Sequence, residues 1–228
     1  MEEIQAGALY VVATPIGNLN DLTYRAQYIL SNVDLIAAED TRTSGVLLRH
    51  YGVKTPLRSY HSYNLKTETP KLVSLLKQGK AIALISDAGT PGISDPGYQL
   101  VQACIENGIQ SVPIPGASAL TTALPVSGLP INRFVFEGFL PLKKGRKTRL
   151  EFLNSEKRTI VIYESPHRIY KTVSDLLEYL GDRKCVMARE LTKKFEDIYR
   201  GRLSELEKKL QGKNVKGEIV LMIAAIDM

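Results

Sequence analysis

The segment AIALISDAGTPGISDPG, residues 81–97, decides the fold class. Residues 81–86 form an apolar run without polar alternation, which predicts a strand buried on both faces, as in parallel sheets. Residues 86–97 follow at once with three glycines and two prolines. Because ligands bind outside the carboxyl ends of strands in open α/β sheets, this stretch predicts a ligand-binding loop. The alternative is a plain connector to the helix that Pro96 can start.

Apolar runs of strand length alternate with helix-like stretches around this segment, with further strands at 9–14, 34–38 and 111–114. This alternation is typical of parallel strands joined by helical crossovers. The residues expected to cap or start the helices are Asn20 or Asp21, Thr69 with Pro70, and Asp95 with Pro96. We therefore predict a mostly parallel sheet for the first half of an α/β protein.

The sequence pattern changes after Pro115-Gly116, so we place a domain boundary there, between residues 1–115 and 116–228. Strands are expected in the second half at 134–139, 159–164, 185–189, 196–201 and 218–226. Ser204 and Glu207 have the spacing of a capping box. Shorter crossovers and more polar alternation favour a mixed sheet here.

Composition limits the class of protein. Hydrophobic residues make up 44% of 228 residues and charged residues 24%, which fits a globular protein. No apolar stretch is long enough for a membrane span and the acidic N-terminus is unlike a signal peptide, so we expect a cytoplasmic protein. Two distant cysteines and three scattered histidines predict neither a disulfide framework nor a metal site. The net charge of +6 permits a polyanionic partner without requiring one.

Two further loops are candidates for the same site as residues 86–97: residues 13–19 close the first predicted strand, and residues 114–120 follow the fourth. If those two strands are neighbours, all three loops meet above one edge of the sheet and enclose a cleft between the halves. Ser118, in the last loop, is either a ligand contact or a plain helix cap.

Acidic residues and a histidine also follow predicted strands. Glu39, Asp40 and Arg42 come directly after the strand at 34–38, where the acids can act as a base and the arginine can bind phosphate. The alternative is a helix start that favours carboxylates through the helix dipole. His61 lies in a predicted loop between Tyr60 and Tyr63. It can act as a base or as a hydrogen-bond donor, and the alternative is an exposed histidine without a role.

Cations cluster in the second half. Glu164 ends a strand, and His167 with Arg168 starts a helix, where cations oppose the dipole and suggest anion binding. Five cations without an acid lie within residues 142–149: Lys143, Lys144, Arg146, Lys147 and Arg149. They form either an RNA-binding segment or a solvated loop. No G-x-G-x-x-G or complete Walker A motif is present, which argues against a nucleotide triphosphatase.

Six motifs occur together in an order and spacing that resembles one family, the bacterial ribosomal RNA small-subunit methyltransferases of the tetrapyrrole methylase superfamily. The motifs are TPIGNL (14–19), AAEDTR (37–42), SDAGTPGISDPG (86–97), IPGAS (114–118), EGFLP (137–141) and YESPHR (163–168). The resemblance extends from Leu9 to about Ala224. One departure is that the family commonly has HEHN where this chain has residues 61–64, HSYN.

The resemblance implies a two-domain α/β fold, a homodimer, and S-adenosylmethionine in the interdomain cleft. Carried onto matching positions, the implied cofactor contacts are Pro15, Asp87, Ala88, Gly89, Thr90, Pro91, Gly92, Ile93, Ser118, Ala119, Tyr163, Met187 and Gly217.

The implied reaction is transfer of a methyl group to the ribose 2′-oxygen of a cytidine in 16S ribosomal RNA, with the 30S subunit as partner. Candidates for the base are Glu39, Asp40, His61 and Glu164. Arg42, His167, Arg168 and the cations of residues 143–149 are candidates for RNA contacts. Two alternatives remain open: methylation of a tetrapyrrole or another small metabolite on the same fold, and an RNA-binding factor without activity.

Overall fold

A computed structural model describes residues 3–226 of the chain. The chain divides into two compact units: Ser118 ends the first and Ala119 begins the second. The boundary predicted from the sequence, between residues 115 and 116, lies slightly earlier in the same loop.

Five strands form the sheet of the first unit: β1 Leu9–Val12, β2 Leu35–Ala38, β3 Leu57–Ser59, β4 Ile82–Ile85 and β5 Ser111–Ile114. They are ordered β3-β2-β4-β1-β5, and every neighbouring pair is parallel. The predicted parallel sheet is confirmed. Strand β3 was not predicted, because Arg58 lies between Leu57 and Ser59 where an apolar run was expected.

Four helices of the first unit flank this sheet: α1 Tyr24–Asn32, α2 Thr41–His50, α3 Leu65–Lys77 and α4 Tyr98–Glu106. Successive side chains of β4 enter different apolar clusters. Ile82 and Leu84 pack with residues of α3 and α4, whereas Ala83 and Ile85 pack with residues of α1 and α2. Burial on both faces explains why this strand is uniformly apolar.

All three helix caps predicted in the first unit are wrong, and two of them concern α1 and α4. Asn20 and Asp21 lie in a 3-10 turn, and the N-cap of α1 is Thr23, whose hydroxyl accepts the N–H of Ala26 at 3.0 Å. Helix α4 has Gly97 as its N-cap instead of Asp95. At Gly97 the chain still packs against the loop backbone: a Cβ there would lie 3.0 Å from the Gly92 nitrogen.

Helix α3 also begins earlier than predicted, at Leu65, so Pro70 lies inside it. Thr69 does not cap the helix, because it too lies inside it. Its hydroxyl lies 3.0 Å from that of the buried Tyr60. The backbone turn at Asn64 starts the helix instead: its carbonyl accepts the N–H of Glu68 at 2.9 Å.

Residues 119–226 of the second unit form five strands and four helices: α5 Ala119–Ala123, β6 Phe134–Phe139, α6 Arg146–Asn154, β7 Thr159–Glu164, α7 Ile169–Leu180, β8 Lys184–Arg189, β9 Asp197–Arg202, α8 Leu203–Leu210 and β10 Ile219–Ile223. The strand order is β6-β7-β10-β8-β9. Strands β6 and β7 are parallel and the other pairs are antiparallel, so the predicted mixed sheet is confirmed.

The predicted capping box of Ser204 and Glu207 is wrong. The N–H of Arg202 donates to Glu205 at 2.9 Å at the start of α8. Ser204 does not form the predicted box with Glu207, because its backbone N–H and its hydroxyl each donate to Asp182 at 2.9 Å.

No helix among residues 3–226 combines the length and the apolarity needed to cross a lipid bilayer.

The central strand of the first unit should dominate the stability of that unit. Leu84 in β4 is 1% exposed, so Leu84→Ala should lower the free energy of unfolding by about 2–5 kcal/mol through the cavity it leaves. Ile105→Ala, at a 68% exposed position of α4, is the matched control and should change it by less than about 0.5 kcal/mol. Urea denaturation measures both, and equal losses would contradict this core.

Candidate active site

The carboxyl ends of β1–β5 lie at one edge of the first sheet because all five strands are parallel. Each strand is followed there by a loop that contains at least one candidate site residue. In spatial order these loops begin at Tyr60, Glu39, Ser86, Ala13 and Pro115. We call this side of the first unit the carboxyl edge.

Backbone hydrogen bonds join the loop after β1 to the glycine-rich loop after β4. The N–H of Thr14 donates to the Gly89 carbonyl at 2.8 Å, and the N–H of Gly89 donates back to Thr14 at 3.0 Å. The hydroxyl of Thr14 also donates to the carbonyl of Ser86 at 3.2 Å. The two loops therefore form an antiparallel bridge beyond the ends of their strands.

The loop after β5 packs closely onto the same bridge. The hydroxyl of Thr90 donates to the carbonyl of Ala117 at 3.1 Å. A Cβ on Gly116 would lie 2.9 Å from that of Ala13, closer than real Cβ contacts allow. Gly89 has φ +85°, a conformation that favours glycine. The predicted meeting of the three loops, which required the first and fourth predicted strands to be neighbours, is confirmed.

The residues that the resemblance assigned to the cofactor differ in exposure within these loops. Asp87, Ala88 and Gly92 are exposed, whereas Thr90 and Ile93 are partly exposed. Those that are buried are Pro15, Gly89, Pro91 and Ser118. The loops thus combine a buried backbone framework with an accessible surface.

Acidic side chains follow the neighbouring strands β2 and β4 at the same edge. Asp87 accepts the backbone N–H of Asp40 at 2.9 Å, which joins the two loops. Burial raises the pKa of Glu39, and the negative charge of Asp87 raises it further. Sequence analysis missed this action of Asp87 on Glu39. The signal was available, because both acids directly follow predicted strands.

Asp40 has the opposite environment. Its carboxylate accepts the backbone N–H of Arg42 at 2.8 Å as the N-cap of α2, and pairs with the Arg42 guanidinium at 2.7 Å. Hydrogen bonds from Arg42 lower the pKa of Asp40 to about 2. The helix-start alternative therefore describes Asp40. The side chain of Arg42 remains 90% exposed.

His61 lies in a well-defined turn after β3, next to the loop that carries Glu39. Asn64 fixes this turn: its Oδ1 accepts the His61 N–H at 2.9 Å and its Nδ2 donates to the Ser59 carbonyl at 3.0 Å. Within the part of the chain that the structure describes, the buried Nδ1 of His61 has no hydrogen-bond partner. The ring of Tyr63 is 98% exposed, whereas Tyr60 is buried.

Glu164, the remaining base candidate, is fully buried inside the second unit. Its carboxylate accepts the Thr172 hydroxyl at 2.6 Å and the Ser165 N–H at 2.8 Å, and it pairs with Arg168 at 3.3 Å. These bonds attach the end of β7 to α7. Arg168 in turn donates to the Leu140 carbonyl at 2.7 Å, whereas His167 is exposed.

The cations of the basic segment, residues 142–149, are of two kinds: bonded arginines and exposed lysines. Arg146 is buried and donates to Asp175 at 2.7 Å, to the Thr172 hydroxyl at 2.9 Å and to the Pro141 carbonyl at 3.1 Å. Arg149 forms a bidentate pair with Glu137, with both bonds at 2.6 Å. The exposed cations of the segment are Lys143, Lys144 and Lys147.

The other residues assigned by resemblance lie in the second unit. The hydroxyl of Tyr163 accepts the Leu120 N–H at 2.9 Å, one residue after Ala119. Met187 is buried in β8. Gly217 has φ +89°, and a Cβ there would lie 2.3 Å from Cγ of Glu190, so only glycine fits beside that side chain.

Neither a metal-binding group nor a reactive thiol is found among residues 3–226. There, no group of three or more His, Cys, Asp or Glu residues is placed to hold a metal ion. Burial raises the pKa of Cys104 to about 11 and that of Cys185 to about 12, so both thiols stay protonated near neutral pH.

Two proteins named ribosomal RNA small subunit methyltransferase I are close relatives by sequence. The Synechocystis sp. protein is 53% identical over 220 residues, covering 96% of this chain and 79% of that protein. The Thermotoga maritima protein is 48% identical over 218 residues, covering 96% and 98%.

Solved structures share the fold at low sequence identity. A cobalt precorrin-4 methyltransferase of cobalamin biosynthesis matches with a TM-score of 0.69 at 16% identity, covering 97% of both chains. A uroporphyrin-III C-methyltransferase from Thermus thermophilus matches with a TM-score of 0.68 at 20% identity, covering 96% of this chain and 95% of that one. The predicted tetrapyrrole-methylase-like fold is confirmed.

The family model for tetrapyrrole (corrin/porphyrin) methylases matches residues 8–207. With this match and these relatives, the chain belongs to the tetrapyrrole methylase family, within its group of ribosomal RNA small subunit methyltransferase I proteins.

Proposed function

We propose that this protein transfers the methyl group of S-adenosylmethionine to the ribose 2′-oxygen of a cytidine in 16S ribosomal RNA. The observation that carries the proposal is the near-full-length similarity, at 47–53% identity, to proteins named ribosomal RNA small subunit methyltransferase I. We further infer that it acts in the cytoplasm as a homodimer on the 30S subunit. The dimer rests on the family resemblance.

The joined loops of the first unit fit the cofactor. Gly89 and Gly116 let the three loops pack closely, and the exposed part of residues 87–93 lies on these joined loops, where a ligand can reach it. Pro15, residues 87–93 and Ser118 would hold the cofactor, which when bound supplies a methyl carbon activated by its sulfonium. The assignments of Ala119, Tyr163, Met187 and Gly217 rest on the family resemblance alone.

Glu39 is the base that the first unit supports best for the 2′-hydroxyl proton. Its raised pKa brings it closer to neutral pH than an ordinary carboxylate, which suits proton acceptance. The charge of His61 acts in the opposite direction and lowers the pKa of Glu39, so the raised pKa reflects burial and Asp87. Among residues 3–226 the Nδ1 of His61 has no hydrogen-bond partner. Asp40 is strongly acidic and Glu164 is fully bonded, so both fit structural roles better.

The exposed cations are suited to the phosphates of RNA. Lys143 and Lys144 are exposed and form no ion pair within residues 3–226, and the exposed Lys147 forms a long 3.8 Å pair with Glu151. Arg42 and His167 are also exposed. Arg146, Arg149 and Arg168 are bonded within the second unit, so we infer that they hold the segment in shape.

Labelled S-adenosylmethionine tests the proposed function directly. Tritium should enter 16S RNA in 30S subunits from a strain that lacks this methyltransferase, and nuclease mapping should locate it on the 2′-oxygen of a cytidine. Subunits from the parent strain are the control and should accept little label. Transfer to a porphyrin precursor in place of RNA would overturn the proposal.

The contact between Gly116 and Ala13 should control cofactor affinity. Gly116→Ala places two Cβ atoms 2.9 Å apart and should separate the loops. At an overpacking cost of about 1–3 kcal/mol, binding should weaken roughly 5- to 150-fold. The double variant Ala13→Gly/Gly116→Ala removes the clash and should recover most of this loss. Calorimetry with S-adenosylmethionine measures both, and a double variant no better than Gly116→Ala would contradict the loop geometry.

The pH profile should show the effect of Asp87 on Glu39. Glu39 must be ionised to accept a proton, so kcat/KM should fall as pH drops through its raised pKa. Asp87→Asn removes a raising charge and keeps an oxygen for the Asp40 N–H, so this acid limb should move to lower pH. Glu39→Gln should reduce kcat about 100-fold or more. An acid limb that stays in place in Asp87→Asn would exclude Glu39 as the titrating base.

A further inference from the structure

Two exposed tyrosines at the carboxyl edge have no role in the site described above. Tyr63 precedes α3 and is 98% exposed, and Tyr98 is the first residue of α4 and is 71% exposed. Single exposed aromatic residues are common on protein surfaces. These two lie at equivalent places in the fold, each at the start of a helix that follows a site loop and packs in the same apolar cluster, whereas the exposed Tyr24 starts a helix that packs in the other cluster.

The topology places both tyrosines on the same side of the sheet. Helices α3 and α4 contribute to one apolar cluster, through Leu72 and Leu76 from α3 and Leu100 from α4. Both helices connect parallel strands, so both start at the carboxyl edge. Tyr63 and Tyr98 therefore flank the same end of this helix pair, beside the loops that carry His61 and Asp87.

Contacts around Tyr63 hold its turn in place. The ring of His61 lies edge-on to that of Tyr63, with centroids 6.0 Å apart and an interplanar angle of 67°. Asn64 fixes the turn with two backbone hydrogen bonds. The fixed turn therefore presents an accessible aromatic ring, and tyrosine offers a large contact area at a low cost in conformational entropy.

A cation lies next to this surface. Lys66, in the first turn of α3, is exposed and forms no ion pair within residues 3–226. Exposed aromatic rings beside an unpaired cation are the chemistry by which proteins bind unpaired nucleotides, with bases stacked on rings and phosphates near the cation.

We propose that Tyr63 and Tyr98 form a stacking surface for unpaired bases next to the target nucleotide, with Lys66 contacting the RNA backbone. This inference rests on the proposed RNA substrate and adds residues that recognise it. The occupant is single-stranded RNA, since the surface adjoins the candidate base Glu39 and the loops proposed to hold the methyl donor.

Alanine and phenylalanine variants separate stacking from other roles. Tyr63→Ala and Tyr98→Ala should each raise KM for 30S subunits by roughly 5- to 150-fold with little change in kcat, the range expected for one stacked base. Tyr63→Phe and Tyr98→Phe keep the ring and should remain near wild type, whereas Tyr63→Leu should resemble the alanine variant. Affinity for S-adenosylmethionine should not change in any of them.

Tyr24→Ala is the matched control. Tyr24 is 90% exposed and starts α1, whose apolar side packs in the cluster on the other face of the sheet. An equal rise in KM in this variant would overturn the assignment to the α3–α4 side. Unchanged KM in both alanine variants, or phenylalanine variants as weak as the alanine ones, would overturn stacking itself.

A direct binding measurement keeps this inference separate from the proposed function. Anisotropy of a fluorescent, unstructured cytidine-rich oligoribonucleotide should show weaker binding to Tyr63→Ala and Tyr98→Ala than to wild type. If wild type binds the oligonucleotide in this pattern but labels no 30S subunits, the proposed reaction fails and the stacking surface stands. If wild type labels 30S subunits but the alanine variants bind and react normally, only the stacking surface fails.

Discussion

The two backbone hydrogen bonds between Thr14 and Gly89 are the interaction on which the candidate site depends. They form because β1 lies directly beside β4, so the loops that leave these strands start as neighbours. The bonds need close backbone approach, which Gly89 permits through its positive φ. The third loop approaches from β5 on the other side of β1, where Gly116 leaves room for Ala13. The site is thus shaped mainly by the absence of side chains.

The same parallel strand order brings acidic side chains close together at the carboxyl edge. The loops that follow the neighbouring strands β2 and β4 each carry acidic residues, and they are joined by the bond from the Asp40 N–H to Asp87. Two adjacent carboxylates then acquire opposite properties, because Arg42 stabilises the charge of Asp40 while burial and Asp87 oppose that of Glu39. Divergent environments of this kind commonly separate a structural acid from a reactive one. The strand order therefore produces both the joined loops and the environment of the candidate base Glu39.

The sequence predicted the fold class and the loop convergence well, because both follow from where apolar runs and glycines lie. The uniform apolar character of residues 81–86 correctly indicated burial on both faces. Helix starts were predicted less well. Thr69 and Asp95 have good capping chemistry, but α3 starts before Thr69 and α4 starts after Asp95. The Thr69 hydroxyl instead lies beside that of Tyr60, which comes from a different element. Competition of this kind between local and tertiary bonds is invisible in a single segment.

The basic segment shows why charge density alone could not identify the RNA contacts. Helix α6 has a buried face formed by Arg146, Leu150 and Leu153, so helical spacing decides which cations turn inward. An arginine suits that position because its planar guanidinium can satisfy several acceptors at once, here Asp175, Thr172 and the Pro141 carbonyl. The ammonium group of lysine is more strongly hydrated than a guanidinium, and the three lysines of the segment are exposed. Residue type and helical register therefore separate the cation that is buried in this segment from those that remain exposed.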